Sequence, residues 1–188
     1  MKKDSIIDII TDLDFNMSKK ELNNPEIRYS SRGIVINEKG EIAVINKQVK
    51  NEYKLPGGGV ENGESPEETF IREIFEETGC SVEISGYLGT IIEEKGLTNF
   101  KQISYVFVAK VLNDTKELHL TKKESDEKTI LLWKEIRDAY ELIKNCKEKL
   151  VASSYDTRYQ SLFMVLRDER ILNYYIKIND KREKKLAK

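Results

Sequence analysis

Between Gly58 and Cys80 the sequence reads GGVENGESPEETFIREIFEETGC, a run crowded with carboxylates around one arginine, Arg72. Turned at 100° per residue, a helix over 65–79 places Glu73, Glu76 and Glu77 at i, i+3 and i+4, on one face. Ile71, Ile74, Phe75 and Thr78 then fall on the opposite, core-facing side. Three carboxylates so close raise one another's pKa values unless a cation compensates. Hard oxygen donors of this kind suit Mg2+ or Mn2+. The glycines before the helix allow close backbone approach and offer carbonyl oxygens. Carboxylates, a divalent cation and a glycine-rich loop are the equipment of chemistry at a phosphate, where a metal neutralises charge and acidifies water. Taken alone, the glutamate triad has a commoner use as a solvated helix face.

The elements that would position these residues follow from pattern and punctuation. Ser65 is placed to cap the helix, Pro66 suits its first position, Glu68 completes a capping box and Gly79 stops it. Upstream, RGIVINEKGEIAVINK pairs two apolar runs across NEKGE and predicts a β-hairpin, followed by a short strand at EYKL. Downstream, SVEISGYLGTIIEE and QISYVFVAKVL predict strands separated by a loop at 95–101. ELHLTKKESDEK is a polar loop, TILLW a strand and KEIRDAYELIKNC a helix. Ile6, Ile9, Ile10 and Leu13 recur at helical spacing and predict a short amphipathic helix over 4–15. A long helix is expected from about Asp156 to Ile178, with the charged DKREKKLAK fraying.

The 188 residues allow one ordinary domain with a core of its own. With 39% hydrophobic and 35% charged residues the chain is polar but globular. A net charge of −1 provides no overall basic field for nucleic acid. Cys80 and Cys146 lack metal or disulfide-framework spacing and read as free thiols in a reducing compartment. The N-terminus MKKDSIIDIITDLDF lacks a cleavage site, and no apolar run is long enough for a membrane span. The expected location is the cytoplasm.

Spacing across the whole stretch separates the metal reading from the solvated one. Five residues separate Gly58 from Glu64 and seven separate Glu64 from Arg72-Glu73; Ile74, Phe75, Glu76-Glu77, Thr78 and Gly79 follow. This resembles the signature of the Nudix hydrolase family (MutT-related), G-x5-E-x7-R-E-U-x-E-E-x-G-U, with U a bulky apolar residue. Chance agreement at seven fixed identities is on the order of 10⁻⁸ per starting position. Cys80 alone departs from the pattern, and a local change of packing is expected there.

The resemblance implies an α/β/α sandwich around a mixed sheet, covering residues 29–146. Residues 1–28 would form an N-terminal helix and connector, and 147–188 a C-terminal helical extension of the same unit. By the same resemblance Glu73, Glu76 and Glu77 bind Mg2+ or Mn2+, with the Gly57 carbonyl as a further ligand. Glu73 and Glu77 are catalytic, and Glu73 acts as general base in some members. Arg72 orients the glutamates, Glu64 supports the metal or its waters, and Gly58 and Gly63 permit the tight loop. The implied reaction is hydrolysis of a pyrophosphate bond in a nucleoside diphosphate derivative. In relatives with the base on a downstream loop, the counterparts here would be Glu93, Glu94, Glu124 or Glu127.

Downstream markers of the ADP-ribose and dinucleoside polyphosphate subgroups are missing from EEKGL. A nucleoside triphosphate or another nucleoside diphosphate derivative is therefore the expected small-molecule partner. Tyr87, Phe100, Tyr105 and Trp133 are candidates to stack on a base, although packing is the commoner role for each. His119 is incidental more often than catalytic. The alternatives are a non-catalytic nucleotide sensor, disfavoured by the full set of glutamates, and an RNA 5′-pyrophosphohydrolase, disfavoured by the balanced charge. No membrane partner is expected, and by analogy with the family a homodimer is.

Overall fold

A computed structural model describes residues 5–186. Eight strands form one mixed sheet: β1 (Ile6–Thr11), β2 (Glu26–Ile36), β3 (Ile42–Lys47), β4 (Glu52–Lys54), β5 (Gly57–Gly59), β6 (Cys80–Lys95), β7 (Phe100–Asp114) and β8 (Thr129–Lys134). The order is β1-β6-β7-β2-β3-β4, with β5 paired to β2 and β8 to β3. β1 runs parallel to β6 and β2 parallel to β7; the other pairs are antiparallel. Among the described residues four α-helices complete the fold: α1 (Pro66–Thr78), α2 (Lys122–Asp126), α3 (Ile136–Cys146) and α4 (Arg158–Leu186).

Strand alternation sorts the core into two layers. On one face, Val35 and Phe107 pack with Phe70 and Ile74 of α1 and with Cys80. On the other, Ile34, Ile91 and Val106 pack with Ala139 and Ile143 of α3 and with Phe163, Leu166 and Leu172 of α4. The result is the expected α/β/α arrangement, with α1 on one face and α3 and α4 on the other. The hairpin, the EYKL strand, both long strands, the TILLW strand and the helices over 65–79 and 136–146 all form where the pattern places them. Cys80 and Cys146 are free and buried. Among the described residues no helix is long and apolar enough to cross a membrane.

Three expectations are corrected. Residues 6–11 form a strand rather than a helix, and residues 12–15 only a turn of 3-10 helix. Four isoleucines within positions 6–10 favour extended backbone, and β6 offers an edge on which they pair in parallel. The pairing with β6 shifts register between Ile6 and Asp8. The charged C-terminal tail does not fray where expected, because α4 continues to Leu186; residues 187–188 lie outside the described residues. The polar loop after β7 contains the five-residue α2, capped by a Thr121–Glu124 capping box.

Candidate active site

The signature helix forms as its ends dictate. The Ser65 side chain accepts from the Glu68 N–H while the Glu68 carboxylate accepts from the Ser65 N–H. Gly79, at φ 69°, ends the helix and donates its N–H to the Phe75 carbonyl at 2.9 Å. The Ser31 hydroxyl donates to the Pro66 carbonyl at 2.7 Å and fixes the start of α1 over β2. Phe70, Ile74 and Thr78 face the sheet, whereas Ile71 and Phe75 are 44% and 39% exposed. The expected core face is thus rotated toward Phe70. Phe75 is covered in part by the ring of His119, and the His119 backbone N–H donates to the Glu76 carbonyl at 2.8 Å.

Arg72 is the hub of the polar face. Its guanidinium forks onto Glu64, with Nε–Oε1 at 2.7 Å and Nη2–Oε2 at 2.9 Å. Nη1 reaches Glu73 Oε1 at 2.9 Å and Glu76 Oε2 at 3.2 Å, and Nη2 donates to the Gly59 carbonyl at 3.2 Å. One side chain therefore holds three of the signature carboxylates and the loop backbone. The hydrogen bonds from Arg72 hold the Glu64 carboxyl down at about 2. Burial pushes Glu73 up from the usual carboxylate range, against the pull of Arg72.

Glu77 belongs to a separate group. It is 1% exposed, and burial raises its pKa. Its Oε1 lies 2.6 Å from Lys54 Nζ, and its Oε2 accepts from the Gly57 N–H at 2.7 Å. Lys54 Nζ also reaches the Gly57 carbonyl at 3.4 Å. Glu77 and the Gly57 carbonyl thus share one cation, an ammonium.

Glycine is required at position 57. Gly57 has φ 136°, and a Cβ there would strike the backbone of Ser31 and Arg32. A Cβ on Gly58 would meet the Glu73 carboxyl group. Gly63, at φ 89°, turns the loop before Glu64.

The donors are oxygens from carboxylates and one carbonyl, a chemistry that fits Mg2+ or Mn2+. The ammonium held between Glu77 and Gly57 shows that this pair accommodates positive charge. The three glutamates share a helix face, but their carboxyl groups do not converge. Glu73 and Glu76 turn to Arg72, and Glu77 turns to Lys54. Among the described residues no group of three or more acidic, histidine or cysteine side chains is gathered as for a metal.

Of the four downstream glutamates, only Glu124 is brought to this place. It stands beside Glu77 and contributes to raising that residue's pKa. Burial acts against ionisation of Glu124, but hydrogen bonds from the Thr121 N–H and hydroxyl hold its own pKa low. Glu93 is buried under α4 between Arg167 and Lys95, Glu94 pairs with Lys101 at 3.1 Å, and Glu127 pairs with Lys47 at 2.8 Å. Among the stacking candidates, Tyr105 lies against Tyr29 with near-parallel rings, and both line a cavity of about 470 Å3 with Arg28, Glu64 and Pro66. Tyr87 packs on Phe107, Phe100 lies under the Lys95 ammonium, and Trp133 packs at the edge of the α1-side core.

Two residues escaped the sequence reading. Lys54, three positions before Gly57, could have been singled out as the cation for a buried glutamate. Asp168, whose Oδ2 accepts from the Leu55 N–H at 2.9 Å, had no local signal, because it arrives from α4.

Comparison with known proteins places the chain in a family. A putative 8-oxo-dGTP diphosphatase of Bacillus subtilis (strain 168) is 43% identical over 56 residues, which is 30% of this chain and 38% of that protein. An RNA pyrophosphohydrolase of Actinobacillus succinogenes is 44% identical over 48 residues, 25% of this chain and 24% of that protein. The chain thus spans well under half the length of these curated relatives. The solution structure of the E. coli ORF135 protein shares the fold, with a TM-score of 0.53 at 16% identity over 86% of this chain and 97% of that one. Residues 27–153 match the model of the NUDIX domain, and the chain belongs to the Nudix family.

Proposed function

We propose that the protein is a divalent-metal-dependent pyrophosphohydrolase that cleaves a phosphoric anhydride bond of a nucleoside triphosphate or another nucleoside diphosphate derivative. One observation carries this reading: Arg72 gathers Glu64, Glu73 and Glu76 beside a loop whose Gly57 contacts Glu77. Enzymes of this family generally use a divalent metal. Glu73, Glu76, Glu77 and the Gly57 carbonyl are the residues that would hold Mg2+ or Mn2+. Bound there, the metal would neutralise phosphate charge and acidify a water molecule.

The remaining work falls to the chain itself. Arg72 restrains Glu73 and Glu76 and keeps their charge local to the loop. Lys54 offsets the buried charge of Glu77. Glu124, beside Glu77, is the first candidate to accept the proton of the attacking water. Glu73, with its raised pKa, is the second candidate for that role. Two buried free thiols fit a reducing, cytoplasmic setting.

The test is a panel of nucleoside triphosphates, sugar and ribose nucleoside diphosphates and 5′-triphosphorylated RNA, run with Mg2+ and with Mn2+ and scored by product identity. Turnover that Glu73→Gln abolishes in a folded protein supports the reading. Release of neither phosphate nor pyrophosphate nor nucleotide product from any member of the panel overturns it in favour of a binding module.

A further inference from the structure

Under the signature loop, on the α4 side of the sheet, lies a closed group of charges: Arg32, Lys95 and Arg167 with Glu93 and Asp168, each at most 5% exposed. Arg167 donates to Asp168 Oδ1 at 2.8 Å and to Glu93 Oε2 at 3.1 Å. Arg32 lies 4.0 Å from Asp168, and Lys95 lies 3.1 Å from Glu93. Buried charges are costly to desolvate, and an apolar layer of the same volume is often as stable. What this group does locally is therefore the question.

One of its members touches the loop directly. Leu55 donates its N–H to Asp168 at 2.9 Å, and Gly57 donates its N–H to Glu77 at 2.7 Å. Between them, Pro56 has no N–H and a fixed φ, and its carbonyl accepts from Gly33 at 3.3 Å. Arg32 is the cross-strand partner of Gly57, and its backbone packs where a Gly57 side chain would lie. The segment Leu55–Gly57 is thus held from the α1 layer by Glu77 and from the opposite layer by Asp168.

We propose that Arg167 and Asp168 of α4 are a positioning pair for the catalytic loop. Arg167 orients the Asp168 carboxylate, and Asp168 fixes Leu55–Gly57, so that the Gly57 carbonyl and Glu77 lie in the register a divalent cation needs. The proposal rests on the pyrophosphohydrolase reading given above. It makes the C-terminal helix part of the site rather than a prop behind the sheet.

Asp168→Ala in the full chain removes the acceptor for Leu55. The expected result is Mn2+ binding, read by electron paramagnetic resonance, weaker by about tenfold or more, the usual effect of removing a group that supports a metal's ligands. Faster amide exchange over residues 55–59 and a fall in kcat at nearly constant KM should accompany it. Asp168→Asn, which keeps an oxygen for the Leu55 N–H, should recover most of each. Glu93→Gln cuts the same buried group away from the loop; it should lower the melting temperature but leave Mn2+ affinity per folded molecule and exchange over 55–59 unchanged. If Asp168→Ala does not fold, Asp168→Ser replaces it, keeping a polar group for Arg167 but too short to reach Leu55.

Unchanged exchange over 55–59 and unchanged Mn2+ affinity in the folded Asp168 variant overturn the proposal. An equal loss of both in Glu93→Gln overturns it as well, because general destabilisation would then be sufficient. A wild-type protein that hydrolyses no nucleotide, yet loses loop protection only on substitution of Asp168, sinks the enzymatic reading and leaves the positioning role standing. Normal hydrolysis by Asp168→Ala does the reverse.

Discussion

At the scale of single residues, the chemistry depends on which cation holds which carboxylate. Arg72 carries five contacts to Glu64, Glu73, Glu76 and the Gly59 carbonyl. No lysine reproduces that planar fork. Arg72→Lys is expected to lower kcat about 10²-fold or more, in line with losing one oriented electrostatic group, with a melting temperature close to wild type. Steady-state kinetics beside a thermal melt would check both. Glu124→Gln should lower kcat by about 10²–10⁴-fold if Glu124 accepts the proton; an unchanged rate returns that role to Glu73. Lys54→Met should cost about 3–5 kcal/mol in urea unfolding, because Glu77 would be left buried without its partner. The identities and spacing of the signature residues were legible in the sequence; the pairing of Arg72 with the glutamates was implied by the family resemblance, and its fork onto Glu64 was not foreseen. The split of the triad was not, because helix spacing reports the direction of a Cβ and not the partner at the end of a flexible side chain.

At the scale of elements, α1 was the most legible because its start, stop and period agree with one another. Ser65, Pro66, Glu68 and Gly79 mark its ends with local hydrogen bonds, which are encoded within a few residues. Ser65→Ala should therefore cost about 1 kcal/mol, read as a lower urea midpoint at constant slope. Gly58→Ala should do something different. Its φ needs no glycine, but its Cβ would press on the Glu73 carboxyl, so activity should fall far more than stability. Kinetics against urea unfolding separates the two effects. β1 was misread for the opposite reason. Its isoleucines satisfy helix and strand spacing over so short a window, and the choice is made by β6, a partner that lies elsewhere in the sequence. α2 was missed because five residues carry too little periodicity to show.

At the scale of the molecule, the charge group between the sheet and α4 ties stability to pH. Burial alone would raise the Glu93 pKa, but Lys95, Arg167 and Arg32 bring it down to about 2, well below the usual carboxylate range. A carboxyl whose folded pKa is depressed gives its stability above the unfolded value and loses it as pH falls toward the folded one. The expected loss is about 3 kcal/mol between roughly pH 4.5 and pH 2. Urea midpoints at pH 6, 4 and 3 would show it, and midpoints that stay level would contradict it. None of this could be read from the sequence, since the partners meet only once both layers have closed. The same closure has a consequence for how the chain is made. β1 pairs in parallel with β6, and Arg170 and Tyr159 of α4 bind Asp8, Asp14 and Asp12. A chain emerging from the ribosome must carry the isoleucines of β1 unpaired until β6 appears, and leave Asp8, Asp12 and Asp14 without their α4 partners until α4 is complete. β1 is therefore secured only after β6 and α4 have been made, and contacts of such long sequence separation make for slow folding.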